Sequence, residues 1–194
     1  MTRSNLYGAM ALLALASGAS LAGGPSAVAL AYTCAGCHGT DGSSVGPSSP
    51  HIAGINKEYF IESMKTYKED GRNSTIMNRI AKGYTDEQIA GMADFFAAQT
   101  LRLSPQAHDA KLAEQGAKFH DKYCEKCHEG GGKDPSDSGT LAGQWMPYLH
   151  FSMADFQSGK REMPKKMKTK VQELTKEQGD GALEALIQYY GSVK

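Results

Sequence analysis

Neither sign of charge is in excess: 21 Lys and Arg are matched by 21 Asp and Glu. Phosphate binding normally leaves a clear basic surplus, so the balance argues against nucleic acid as the main partner. The apolar run near the start is shorter than the ~20 residues that a membrane-spanning helix needs. Strand-like alternation of useful length is missing, and no Gly-x-Gly-x-x-Gly fingerprint of a dinucleotide site occurs. Apolar residues are lean at 40%, while 22 glycines are plentiful. That combination points to many turns, or to a core filled by something other than side chains. Cysteine is scarce, with four in 194 residues, and all four are placed in a pattern.

The first residues read as a targeting segment. Met1-Thr2-Arg3 precedes an uncharged stretch from Leu6 to Leu21 that ends in small residues, the pattern of a secretory signal peptide. Small-x-small cleavage points follow Ala22 and Ala31. The second would strip away a supporting first helix before Cys34, so residues 1–22 are taken as the signal. Export to the periplasm, an oxidising compartment, follows.

The cysteines stand as Cys34-Ala35-Gly36-Cys37-His38 and Cys124-Glu125-Lys126-Cys127-His128. In C-x-x-C-H, two thiols can add across the vinyl groups of a haem while the adjacent His supplies an iron ligand. The spacer puts both sulfurs on one side of a helical turn. A four-Cys zinc site leaves both His residues unexplained. A thioredoxin-like pair explains one motif only, and a C-x-x-C disulfide closes too small a loop to contribute much. The expectation is two covalent haems, held by Cys34 and Cys37 and by Cys124 and Cys127.

This spacing exposes a repeat. An offset of 90 relates Cys34 to Cys124, His38 to His128, Met77 to Met167 and Thr85 to Thr175. An offset of 89 relates Ile52-Ala53-Gly54 to Leu141-Ala142-Gly143, Tyr59 to Tyr148 and Met64 to Met153. One haem domain is therefore written twice: residues 23–100, a linker at 101–108 around Pro105, and residues 109–194. Domains this small are marginal on side-chain cores alone, and a buried porphyrin supplies the missing apolar surface.

The fold class expected is mostly α, two tandem class I cytochrome c-like domains. Ile89, Met92, Ala93 and Phe96, and again Leu183, Leu186, Ile187 and Tyr190, keep helical spacing. Thr85 and Thr175 each precede a Gln by three residues, the capping-box spacing. Gly116 and Ala117 would let their helix approach the terminal one closely. A soft thioether suits an electron-transfer haem as sixth ligand. Met77 and Met167 each lie eight residues before the Thr. Met163, in a loop-like Arg161-Glu162-Met163-Pro164, is a rival to Met167. His51, His108, His120 and His150 share no offset and read as surface or interface groups.

The stretches CAGCHGTDGSSVGPSSP, STIMNRIAKGYT, GAKFHDKYCEKCH, LAGQWMPYL and REMPKKMKTK closely resemble the dihaem cytochrome subunit of flavocytochrome c sulfide dehydrogenase. A weaker resemblance, carried by the haem motifs, the Ala-Gly turns and the Met-to-helix spacing, joins the chain to the free-standing dihaem carriers of the cytochrome c4 family. The first resemblance implies an FAD-containing partner subunit that oxidises sulfide, two haem c groups here, and a soluble cytochrome c-type acceptor. It implies no catalytic residue in this chain. The iron ligands carried over are His38 with Met77, and His128 with Met167.

Smaller features carry weaker expectations. Lys160, Arg161, Lys165, Lys166, Lys168 and Lys170 form a basic cluster read mainly as a solvated segment. Trp145 and Tyr148 are expected to pack on a haem, and Pro47 to back the first His ligand through a carbonyl.

Overall fold

The computed structural model describes residues 24–134 and 138–194; the signal segment at 1–22 lies outside the described residues. Helix α1, Ala27–Ala31, is capped by Ser26, whose side chain accepts from the Ala29 amide at 3.2 Å. A 3₁₀ turn, Tyr32–Cys34, leads into α2, Ala35–His38. Helix α3, Lys57–Lys68, follows, with Asn56 as its cap, then α4, Met77–Ala81, and α5, Asp86–Ala97. Residues 101–109 carry no helix.

Helix α6, Ala110–Phe119, is capped by Asp109 and runs into a π-helical turn, His120–Cys124. The short α7, Glu129–Gly132, precedes α8, Met146–Gln157, α9, Lys165–Gln178, and α10, Ala182–Ser192. No strand occurs among the described residues.

Two apolar clusters form, one in each half. In the first, Ile89, Met92, Ala93 and Phe96 of α5 are fully buried beside Leu30, Ala31, Phe60 and Met64. In the second, Leu186, Ile187 and Tyr190 of α10 pack with Phe119, Tyr123, Leu149 and Leu174. The helical spacing of each set thus places one stripe inward, as expected. Leu30 and Ala31 being core residues, α1 is an integral part of the first half.

The halves diverge where the repeat predicts a second capped helix. Thr85 does cap α5: its hydroxyl accepts from the Gln88 amide, and the Gln88 side chain accepts from the Thr85 amide. Thr175 caps nothing. It lies inside α9 and donates to the Val171 carbonyl at 2.8 Å. The cause is local. Gly83, which helps end α4, has become Glu173, so the helix continues and buries Leu174 where the first half has Tyr84. The break moves to Gly179, at φ 82°, and the last helix starts at Ala182.

Candidate functional site

Both thiols of the first motif fall on one helical turn. Cys34 and Cys37 are free, Cys34 half-buried against the first core and Cys37 exposed. His38 is buried, and its Nδ1 lies 2.8 Å from the Pro50 carbonyl oxygen. A carbonyl only accepts, so Nδ1 carries the proton and Nε2 keeps its lone pair. Burial pushes the His38 pKa below the ordinary histidine value, holding the ring neutral. A neutral ring with a free Nε2 is what metal ligation requires. The backing carbonyl is thus that of Pro50, not the one preceding Pro47. The Gly46–Pro47 turn is instead fixed by Ser44, whose hydroxyl accepts from the Gly46 amide.

The second motif begins at Cys124, the last residue of the π-helical turn. Cys124 is half-buried against the second core, Cys127 is exposed, and His128 has its Nδ1 3.1 Å from the Ser138 hydroxyl. Burial pushes the Cys124 thiol up to about 11 and the Cys34 thiol up as well. A redox-active C-x-x-C needs a stabilised thiolate, so these cysteines are tuned the wrong way for thiol exchange. Among the described residues, no three or more His, Cys, Asp or Glu side chains gather to hold a metal ion. The cysteine pairs therefore do not converge on a shared zinc site.

Met77 opens α4 and packs half-buried on the first core with Cys34. The loop carrying it is pinned by Asn78, whose side-chain amide donates to the carbonyls of Tyr67, at 3.0 Å, and Arg72, at 2.9 Å. In the second half Met163 lies before α9 and, with Phe156 and Val171, lines a groove of about 640 Å³. Met167 lies in the first turn of α9, seven residues before Leu174 and so on the helix face that reaches the second core.

Sequence reasoning missed the burial of His120 and the place of Arg161. His120 is not a surface group; it is fully buried, its Nδ1 2.9 Å from the Tyr190 hydroxyl and its Nε2 2.6 Å from Glu125 Oε2. Its position four residues after Gly116 on the buried face was the available signal. His51, read as a surface or interface group, is buried between the halves, and among the described residues neither ring nitrogen has a hydrogen-bond partner. Its backbone N–H donates to Gln144 Oε1 at 2.9 Å, and its ring stacks on Trp145. Trp145 in turn donates through Nε1 to the Ser44 carbonyl at 3.2 Å. Trp145 thus bridges the halves, as does Tyr148, whose hydroxyl accepts from Arg72 Nη2 at 3.1 Å. Arg161 leaves the basic cluster to enter the same seam, where it donates to the Tyr59 hydroxyl at 2.9 Å.

Free thiols followed directly by a partly or fully buried imidazole, twice over, fit covalent haem. The ring of His51 adds a buried polar group with no hydrogen-bond partner among the described residues.

Comparison with known proteins agrees. The family model described as Cytochrome c matches residues 26–100. Cytochrome c4 of Pseudomonas aeruginosa is 31% identical over 159 residues, 77% of this chain and 76% of that protein. The cytochrome subunit of sulfide dehydrogenase from Chlorobaculum tepidum is 46% identical over 67 residues, 34% of this chain and 60% of that protein. The crystal structure of reduced recombinant cytochrome c4 from Pseudomonas stutzeri overlays with a TM-score of 0.71, at 24% identity, over 87% of this chain and 97% of that one. The fold is that of two tandem class I cytochrome c domains.

Proposed function

This chain belongs to the cytochrome c family, a dihaem electron carrier of the cytochrome c4 kind, and from that premise we propose the ligands, the compartment and the partner. Cys34 and Cys37 hold one haem and Cys124 and Cys127 the other, each through two thioether bonds. His38 and His128 are the proximal iron ligands, and Met77 and Met167 the distal ones. Residues 23–100 and 109–194 are the two haem domains and 101–108 their linker. The observation that carries this reading is the His38–Pro50 hydrogen bond, which fixes the imidazole in the tautomer that leaves Nε2 for iron. Bound haem supplies reversible one-electron transfer between ferric and ferrous iron. The chain's part is to orient the imidazoles, present the soft sulfurs, and shield both centres from water. With residues 1–22 as an export signal, this takes place in the periplasm. No helix among the described residues is long and apolar enough to cross a membrane.

A narrower reading makes the chain the cytochrome subunit of a flavocytochrome c sulfide dehydrogenase, taking electrons from an FAD-containing subunit and passing them to a soluble acceptor. The 46% identity to the Chlorobaculum tepidum subunit favours it. Sulfide oxidation itself would belong to that partner, since the four cysteines here are committed to haem.

Two experiments test these readings. Met77→Ala and Met167→Ala should each convert one low-spin haem to high-spin, while Met163→Ala should leave both low-spin. Free access of carbon monoxide to a wild-type haem would overturn the Met assignment at that site. For the partner, haem reduction by sulfide should require added flavoprotein; equal rates without it, or none with it, would remove the subunit reading and leave the free carrier.

A further inference from the structure

The two iron ligands proposed in each half come from different segments. The histidine follows the second cysteine directly, so covalent attachment at the cysteines fixes its place. The methionine stands on a separate stretch with no covalent tie to that turn, and its hold on iron depends on what pins the two segments together. In both halves the residue immediately before the first cysteine makes such a contact.

In the first half, the Thr33 hydroxyl bonds the hydroxyl of Tyr84, seven residues after Met77. Thr33 gives its own proton to the Leu30 carbonyl at 2.6 Å, so Tyr84 is the donor. In the second half the counterpart of Thr33 is Tyr123, 90 residues on and only 6% exposed. Its hydroxyl donates to Glu177 Oε2 at 2.6 Å and accepts from Gln178 Nε2 at 3.2 Å. Lys122 donates to the same carboxylate oxygen at 2.8 Å. Glu177 and Gln178 form the last turn of α9, the helix whose first turn carries Met167.

The repeat shows what changed to make the second contact. Glu87 and Gln88, the counterparts of Glu177 and Gln178, open α5, where Gln88 completes the capping box. The continuation of α9 through Thr175 brings Glu177 and Gln178 to Tyr123 instead. The side chains differ, hydroxyl on hydroxyl in one half and phenol on carboxylate in the other. Both bridges nevertheless join the residue before the first cysteine to the segment that follows the methionine.

Resting on the proposed dihaem reading, we propose that Tyr123 with Glu177 and Gln178, and Thr33 with Tyr84, are positioning residues that latch each methionine-bearing segment to its own haem-binding turn and so set how readily Met167 or Met77 is displaced from iron. Each latch acts on its own half. An outside ligand that needs the methionine displaced gains apparent affinity by the factor through which the latched arrangement is weakened.

The test is an imidazole titration of the ferric holoprotein, followed through the NMR resonances of the two axial methionine methyl groups, which Met77→Ala and Met167→Ala assign. Tyr123→Phe should lower the imidazole concentration that displaces Met167 by roughly three- to tenfold, the worth of about one net hydrogen bond, and leave Met77 unmoved. Tyr84→Phe should do the reverse. Glu177→Gln keeps an acceptor for the phenol and should stay close to wild type, whereas Glu177→Ala should follow Tyr123→Phe. Four results would overturn the inference: Met167 displaced no more easily in Tyr123→Phe, equal changes at both methionines, a Glu177→Gln variant that falls as far as Glu177→Ala, or a melting temperature that drops while displacement holds. Should Tyr123→Phe fail to fold, Glu177→Ala, at a half-exposed position, carries the same expectation and the same refutation. Loss of neither methyl resonance in Met77→Ala and Met167→Ala would instead defeat the ligand reading.

Discussion

Gly116 of α6 lies against the backbone carbonyl of Ala185 in α10, so close that a Cβ on Gly116 would sit 1.9 Å from that oxygen. The two helices form the frame from which the second C-x-x-C-H motif hangs, so their spacing sets where Cys124 and His128 stand. Gly116→Ala must push the helices apart, at a cost of roughly 1–3 kcal/mol. Gly181, at the start of α10, has nothing within 4 Å of its Cβ position and φ −75°. Gly181→Ala should therefore be neutral or stabilising by about 0.5 kcal/mol. Thermal unfolding of both variants checks the pair, and equal melting temperatures would contradict it.

The two threonines of the repeat should behave unlike each other. Thr85→Ala removes the side-chain cap on the Gln88 amide while the Gln88 side chain can still accept from the backbone N–H of residue 85, and this should cost about 1 kcal/mol. Thr175→Ala removes only the hydroxyl's bonds back to the Val171 and Gln172 carbonyls within a continuous helix, so its effect should stay within about 0.5 kcal/mol. Chemical denaturation measures both. A Thr175→Ala cost equal to that of Thr85→Ala would mean that α9 ends before Thr175.

Acid should act through Glu125. Its carboxylate accepts from the amides of Gly131, at 3.0 Å, and Gly130, at 2.9 Å, and contacts the buried His120, and these hold its pKa below the ordinary carboxylate value. A carboxylate depressed in the fold contributes stability that is present above its unfolded pKa and lost as pH falls through the folded one. The wild type should thus exceed Glu125→Gln in stability at neutral pH, and the gap should close as pH drops below about 4.5, the usual carboxylate range. Denaturant midpoints across that range decide it; a gap independent of pH would contradict the assignment.

How much of this was legible depended on whether the signal was local. The two C-x-x-C-H motifs, the helical stripe of Ile89 to Phe96 and the Thr85 cap are each encoded within a dozen residues, and each stands where the spacing puts it. The close approach at Gly116 was legible too, because only glycine's missing side chain explains it. Thr175 misled because a repeat conserves spacing while one change, Gly83 to Glu173, reverses the local chemistry from break to continuation. Arg72, Arg161 and Trp145 were out of reach, since each finds its partner 76 to 102 residues away. Arg161 in particular looked like one more lysine-cluster charge until Tyr59 appeared beside it.

Covalent attachment of porphyrin at both cysteine pairs is decided by the intact mass of the mature protein from its native host. The mass expected is that of the polypeptide plus two haem groups, reduced to one haem when Cys34 and Cys37, or Cys124 and Cys127, are replaced by Ala. A mass matching the bare chain, or one lowered by the hydrogens lost to disulfides, would contradict it.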